Sequence, residues 1–207
     1  MPSPIVHLDL LVKWGQRMNR PLSSDLVLGV ISPDAIHMRA QQTWMDKAKT
    51  HFYEETEVSY EYALKTAKQA LQGISPDFLT GYLIHLYTDY IWRDQIYAPY
   101  FHANKDRLSR PLLYEGYYHD VREIDCYILA HATWIKEVEQ LLKEADSTRA
   151  SFPLLTEDEL NGWKEKVLTA DLAWDGTAFK ALTALSFSDV MEICEVILVD
   201  LVTSVDY

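Results

Sequence analysis

Residues 81–92, GYLIHLYTDYIW, constrain this chain more than any other segment. A run of aromatic and aliphatic side chains of this length reads as a helix buried on all sides, since it lacks the polar alternation of a half-exposed strand. Ser75 followed by Pro76 predicts where that helix starts: an N-cap, then a proline in the first turn, where its missing N–H costs nothing. The spacing carries it to about residue 102. Two polar side chains, His85 and Asp89, interrupt the apolar run four residues apart and therefore on one face. A buried carboxylate needs an ion pair, hydrogen bonds or a metal. No Lys or Arg lies within the stretch, and Arg93 follows one turn after Asp89. The partner is then Arg93, a group elsewhere in the chain, or a cation.

The remaining segments are also helical in period, and none sustains a period of two. Helices are expected over about residues 4–19, 25–30, 41–72, 111–145, 156–169 and 178–205. Pro21 ends the first and Gly73 closes the third, Gly116 is a weak point in the fourth, and Thr156 with Glu159 forms a capping box. In ISPDAIH, Pro33 disfavours helix before it and puts Asp34 on a turn. With 207 residues there is enough chain for one sizeable core, and only 7 glycines leave little material for a tightly turned β fold. The expected fold is all-α, a single compact multi-helix domain over residues 1–207 with six or seven helices.

A net charge of -12 with no dense basic run argues against a nucleic-acid partner, because phosphate binding relies on clustered Lys and Arg. Cys126 and Cys194 sit in apolar helical segments and read as free thiols. The start, MPSPIVHLDLLVKW, has no basic region leading into an apolar run, so no secretory signal is expected. ICEVILVDLVTSV is too short to span a bilayer and carries Glu195 and Asp200, so no stable membrane insertion is expected and the expected compartment is the cytoplasm.

Four of the seven histidines have an acid four residues later, where chance gives about one: His51 with Glu55, His85 with Asp89, His102 with Asp106 and His119 with Glu123. His102 and Asp106 fall across a helix end and read as a solvated surface pair. Glu55 lies in an acidic run, where that offset arises easily. The other two pairs sit on strongly predicted helices. Each offers one imidazole and one carboxylate, a donor set that suits zinc and also accepts iron or manganese, or else forms a simple helix-surface contact. His7 borders the apolar face made by Ile5, Leu8, Leu11 and Val12, and Asp34 on its turn precedes His51 by 17 residues.

The order of VHLDL, GVISPDA, THFYEE, GYLIHLYTDYIW and YYHDVREID over residues 5–125 resembles the zinc-dependent phospholipase C family, whose all-helical fold is shared by single-strand-specific zinc nucleases. The resemblance implies one zinc at Asp34, His51, His85 and Asp89. It also implies a second ion reached by Asp89 together with His7, and another held by His119 and Glu123. One to three ions, polarising a phosphoryl oxygen and activating water, with Asp34 orienting or deprotonating that water, would hydrolyse a phospholipid head group or a smaller phosphoester. Two departures bear on the ion count. Secreted members use a freed amino terminus as a ligand, whereas this chain begins at Met1. The family's histidine six residues after the HxxxD aspartate is here Gln95, beside Asp94, and His37 is a substitute donor near Asp34. The aromatic residues Tyr82, Tyr90, Trp92, Tyr117 and Tyr118 are either core or pocket wall, and Arg93 is a candidate to support the ligands from behind or to bind phosphate. The alternative is a non-catalytic helical protein with a structural or degenerate metal site that acts through partner contacts. A di-iron bundle ranks last, because its Glu-x-x-His spacing does not recur here.

Overall fold

The computed structural model describes residues 1–53, 59–150 and 152–204. The described residues are mostly helical, with no strand beyond one isolated bridge between Phe152 and Leu155. The helices are α1 (Pro4–Arg17), α2 (Ser24–Ile31), α3 (Trp44–Thr50), α4 (Tyr60–Ala70), α5 (Pro76–Trp92), α6 (Ala98–Asn104), α7 (Arg110–His131), α8 (Ile135–Glu144), α9 (Glu157–Lys166) and α10 (Phe187–Ser204). A 3₁₀ segment, Ser32–Met38, follows α2, and π-helical turns cover Arg93–Tyr97 and Val167–Asp171. No helix among the described residues is long and apolar enough to cross a membrane.

Local chemistry sets most of the boundaries. Ser3 caps α1 ahead of Pro4, Ser23 caps α2, and the Thr43–Asp46 and Thr156–Glu159 pairs close capping boxes on α3 and α9. Ser75 precedes α5 as expected, but its hydroxyl makes no capping bond, and Pro76 alone marks the first turn.

The packing centre is the crossing of α2 and α5. Gly29 and Gly81 meet there so closely that a Cβ on Gly29 would lie 2.2 Å from the Phe78 carbonyl oxygen, and one on Gly81 would lie 2.2 Å from that of Leu26. Only glycine permits that approach. α1 lies across both helices and also touches α7 and α10, burying Ile5, Leu8, Leu11 and Trp14. Trp92 and Tyr117 fill the junction of α5 and α7, where the indole donates to the phenol oxygen at 2.7 Å.

Three long helices expected from periodicity are divided or shortened. The 41–72 segment breaks after Thr50: the Thr50 hydroxyl and His51 Nδ1 both bond the Lys47 carbonyl, and Phe52 takes the left-handed conformation at φ 55°. Glu55 and the rest of 54–58 lie outside the described residues. The 111–145 segment passes Gly116 unbroken but extends at Ala132, and the Trp134 indole then turns inward to donate to Asp9 on α1 at 3.2 Å. The 178–205 segment becomes helical only at Phe187. Before it runs a strap whose backbone N–H groups at Thr183, Ala184 and Leu185 donate to Asp120 at 3.0, 2.6 and 2.8 Å. That carboxylate satisfies groups a helix would otherwise pair internally.

Candidate metal centre

Four elements converge beneath α5. The glycine crossing presses α5 against α2 so that His85 Nδ1 donates to the Val30 carbonyl at 2.8 Å, which fixes the tautomer and leaves Nε2 as a bare lone pair. His51, at the end of α3, is set in the same way: Nδ1 bonds the Lys47 carbonyl at 3.0 Å and Nε2 faces inward. The two Nε2 atoms lie 3.4 Å apart. A proton on neither nitrogen leaves two lone pairs facing each other across this gap.

The carboxylates complete the set. Asp34, carried by the 3₁₀ segment, places Oδ1 3.4 Å from His51 Nε2. Asp89 places Oδ2 3.4 Å from His51 Nε2 and 3.9 Å from His85 Nε2. Donors around a four-coordinate zinc with bonds of about 2.0–2.1 Å stand roughly 3.3–3.4 Å apart, so the spacing suits a small divalent ion. His7 on α1 stacks on His85 with ring centroids 3.8 Å apart and brings Nε2 to 3.4 Å from Asp89 Oδ1. Neither nitrogen of His7 nor Asp89 Oδ1 has a hydrogen bond, although all three atoms are buried. Leaving a buried polar group unmatched costs about 1–3 kcal/mol each, and a cation bound among them would remove that cost.

Protonation favours ligation. Burial and the adjacent His7 push His85 down to about 3, so its imidazole is neutral near pH 7. Burial works against ionisation of Asp89, but the imidazoles of His7, His85 and His51 hold its carboxyl below the usual range. Asp34 is likewise ionised: burial opposes it, and the Lys47 ammonium with His37 and His51 prevails. Neutral imidazoles and ionised carboxylates are the forms a divalent ion requires. The residues fit the metal the sequence implies, in two overlapping groups: Asp34, His51 and His85, and His7, His85 and Asp89.

His119 and Glu123 are placed differently. His119 is 40% exposed in its side chain, with Nδ1 3.1 Å from Asp120 and Nε2 3.9 Å from Glu123. Glu123 accepts the Lys180 N–H of the strap at 2.6 Å. Neither belongs to a buried donor group among the described residues. Asp94 and Gln95 are exposed on the π-helical turn and bond each other, and His102 and Asp106 are exposed as expected. His37 is exposed, 3.5 Å from Asp34 Oδ1.

Lys47 is the residue that sequence reasoning missed. Its Nζ donates to Asp34 Oδ1 at 3.0 Å. The available signal was its position four residues before His51, on the same face of α3. Lys47, His51 and Asp89 line the floor of a cavity of about 610 Å³, walled by Trp44, Tyr53, Tyr60, Tyr90, Tyr97 and Tyr118. Met1 also lines this cavity, and burial pushes the pKa of its amino group down to about 6. Arg93 lies over the rings of Tyr90 and Tyr53, 5.1 and 5.7 Å from their centroids. Among known protein families, curated proteins and solved structures, the chain has no significant match.

Proposed function

We propose that the chain is a metal-dependent hydrolase of phosphoric esters, resembling phospholipase C, with zinc as the first candidate ion. The observation that supports this most is the set of converging donors, His51 Nε2, His85 Nε2, Asp34 Oδ1 and Asp89 Oδ2, of which His51 and Asp89 line the cavity. A divalent ion there supplies Lewis acidity, polarising a phosphoryl oxygen and acidifying water.

The chain's own residues do the rest. His85 and His51 are locked by Val30 and Lys47 carbonyls, so no reorganisation is needed to ligate. Asp34 stays ionised and so accepts a hydrogen bond from the attacking water and orients it. The guanidinium of Arg93 can pair with a non-bridging phosphate oxygen. The aromatic walls exclude water and hold the remainder of the ester, a small phosphodiester or a phospholipid head group. The net charge of -12 favours a substrate met in solution over one drawn from an anionic bilayer.

Elemental analysis of protein purified without added metal, followed by hydrolysis of a chromogenic phosphodiester and a phosphocholine ester, tests the proposal. The expected result is bound zinc, iron or manganese and turnover abolished by a chelator. A metal-loaded protein inert on every phosphoester would favour the non-catalytic alternative. Metal content no higher in wild type than in a His85→Ala, Asp89→Ala double variant would overturn the metal site itself.

A further inference from the structure

We propose that Lys47 is a tethered second cation of this centre: its ammonium group neutralises Asp34 and presents a donor to the phosphoryl oxygens of a substrate in the tyrosine-walled cavity. The inference rests on the proposed hydrolase reading and assigns a residue that the sequence pattern did not single out.

Three observations carry it. Lys47 projects from α3 into the corner between Asp34 and His37, with Nζ 3.0 Å from Asp34 Oδ1 and 3.3 Å from His37 Nε2. Those are the donors a further metal ion on that side would need, and the ammonium stands between them. Second, His85 has a single free nitrogen, because Nδ1 is committed to Val30, so the two overlapping donor groups cannot each claim it for a separate ion. Third, Lys47 lines the cavity beside His51 and Asp89, and an ammonium group has three N–H donors. Asp34 and His37 engage two, and the third is left for the cavity.

The charge balance shows what this achieves. One divalent ion offsets the carboxylates of Asp34 and Asp89, giving a centre with Lewis acidity but no net charge to draw in an anionic ester. Lys47 adds one positive charge at the floor, next to where a phosphate would meet the ion. A lysine is a point-charge phosphate binder, suited to this task without bidentate geometry.

The test uses the full chain loaded with zinc, with inorganic phosphate as the probe in titration calorimetry and zinc per chain measured in parallel. In Lys47→Met, phosphate affinity should fall roughly ten- to a hundredfold, the range of a hydrogen bond to a charged group. Zinc per chain should hold, or rise as the Asp34–His37 corner opens. Lys47→Arg should retain most of the phosphate affinity, and Lys47→Gln repeats the neutral comparison if methionine destabilises α3. Equal phosphate affinity in wild type and the neutral variants would overturn the inference, as would loss of zinc in them, which would make Lys47 a support for Asp34 alone. Wild type that takes up no zinc would instead overturn the hydrolase reading beneath it.

Discussion

α5 and α7 carry the same local pattern, a histidine with an acid four residues on, and the two helices put it to opposite uses. On α5, His85 and Asp89 are buried, and their inward atoms meet the acceptor atoms of His51 and Asp34. On α7, His119 is partly exposed, and the acids beside it are satisfied by backbone N–H groups of the strap before α10. Acceptors facing acceptors call for a cation. Acceptors facing N–H donors hold a chain segment in place. The i and i+4 spacing is therefore neutral between ligand and anchor, and the partner across the interface decides which it becomes.

The sharpest way to break this contrast is to push α5 away from α2. Gly81→Ala places a methyl group against the Leu26 carbonyl, and the helices must separate. A loss of roughly 3 kcal/mol or more is expected. Because the same crossing holds His85 on Val30, zinc binding should disappear in whatever protein still folds. Thermal denaturation and zinc content, measured on one preparation, check both effects. Retained stability and zinc would mean that the crossing is looser than its glycines indicate.

Next in size is the direct comparison of the two histidines. Sharing the roughly 10–16 kcal/mol of a four-ligand zinc site among its donors gives about 3 kcal/mol each, so His85→Ala should weaken zinc by about two orders of magnitude. His119→Ala should leave zinc affinity unchanged. Competition with a chromogenic chelator measures both, and equal losses would place α7 in the metal site.

The sequence showed much of this and missed the rest for identifiable reasons. The all-α class and the start of α5 were legible because helical period and proline position are local signals, whereas the convergence of Asp34, His51, His85 and Asp89 was expected only from the resemblance in motif order. The break at His51 was not, because a long amphipathic pattern outweighs two side chains that bond a carbonyl in the last turn. The strap before α10 was hidden likewise: its helix-compatible sequence is overruled by Asp120, more than sixty residues earlier. Lys47 escaped because its one signal, the spacing of four residues from His51, does not show that its tip reaches a buried carboxylate.

The anchor role of α7 makes its own prediction. Asp120 is fully buried, and its carboxylate accepts three consecutive strap N–H groups. Asp120→Ala leaves those donors unmatched at a net cost of about 2 kcal/mol, on the order of a 6 °C fall in Tm for a chain of this size. Zinc affinity should not move. A variant that melts normally but loses zinc would reverse the roles assigned to the two helices.

The smallest effect concerns the support of the Asp34 turn. Arg39, which follows the 3₁₀ segment, donates from Nε to Glu159 Oε1 at 2.6 Å and from a terminal nitrogen to Oε2 at 3.2 Å. Burial opposes ionisation of Glu159, but Arg39 and the Thr156 N–H hold its carboxyl below the usual range. A depressed folded-state pKa gives stability that is present above the unfolded value, near 4.3, and lost as pH falls through the folded value. Wild type should therefore lose stability below about pH 4.3 more steeply than Glu159→Gln, in which this group no longer titrates. At neutral pH the substitution should cost about 1 kcal/mol, since the pair reaches the surface and Asp46 still engages Arg39. Zinc affinity should fall by less than about tenfold, because Glu159 steadies the turn that carries Asp34 without touching the donors. Melting curves across the acid range, with zinc competition at pH 7, separate these outcomes. Identical acid slopes in the two proteins would remove Glu159 from the acid response, and a zinc loss as large as that of His85→Ala would make the turn, rather than α5, the element that sets the centre.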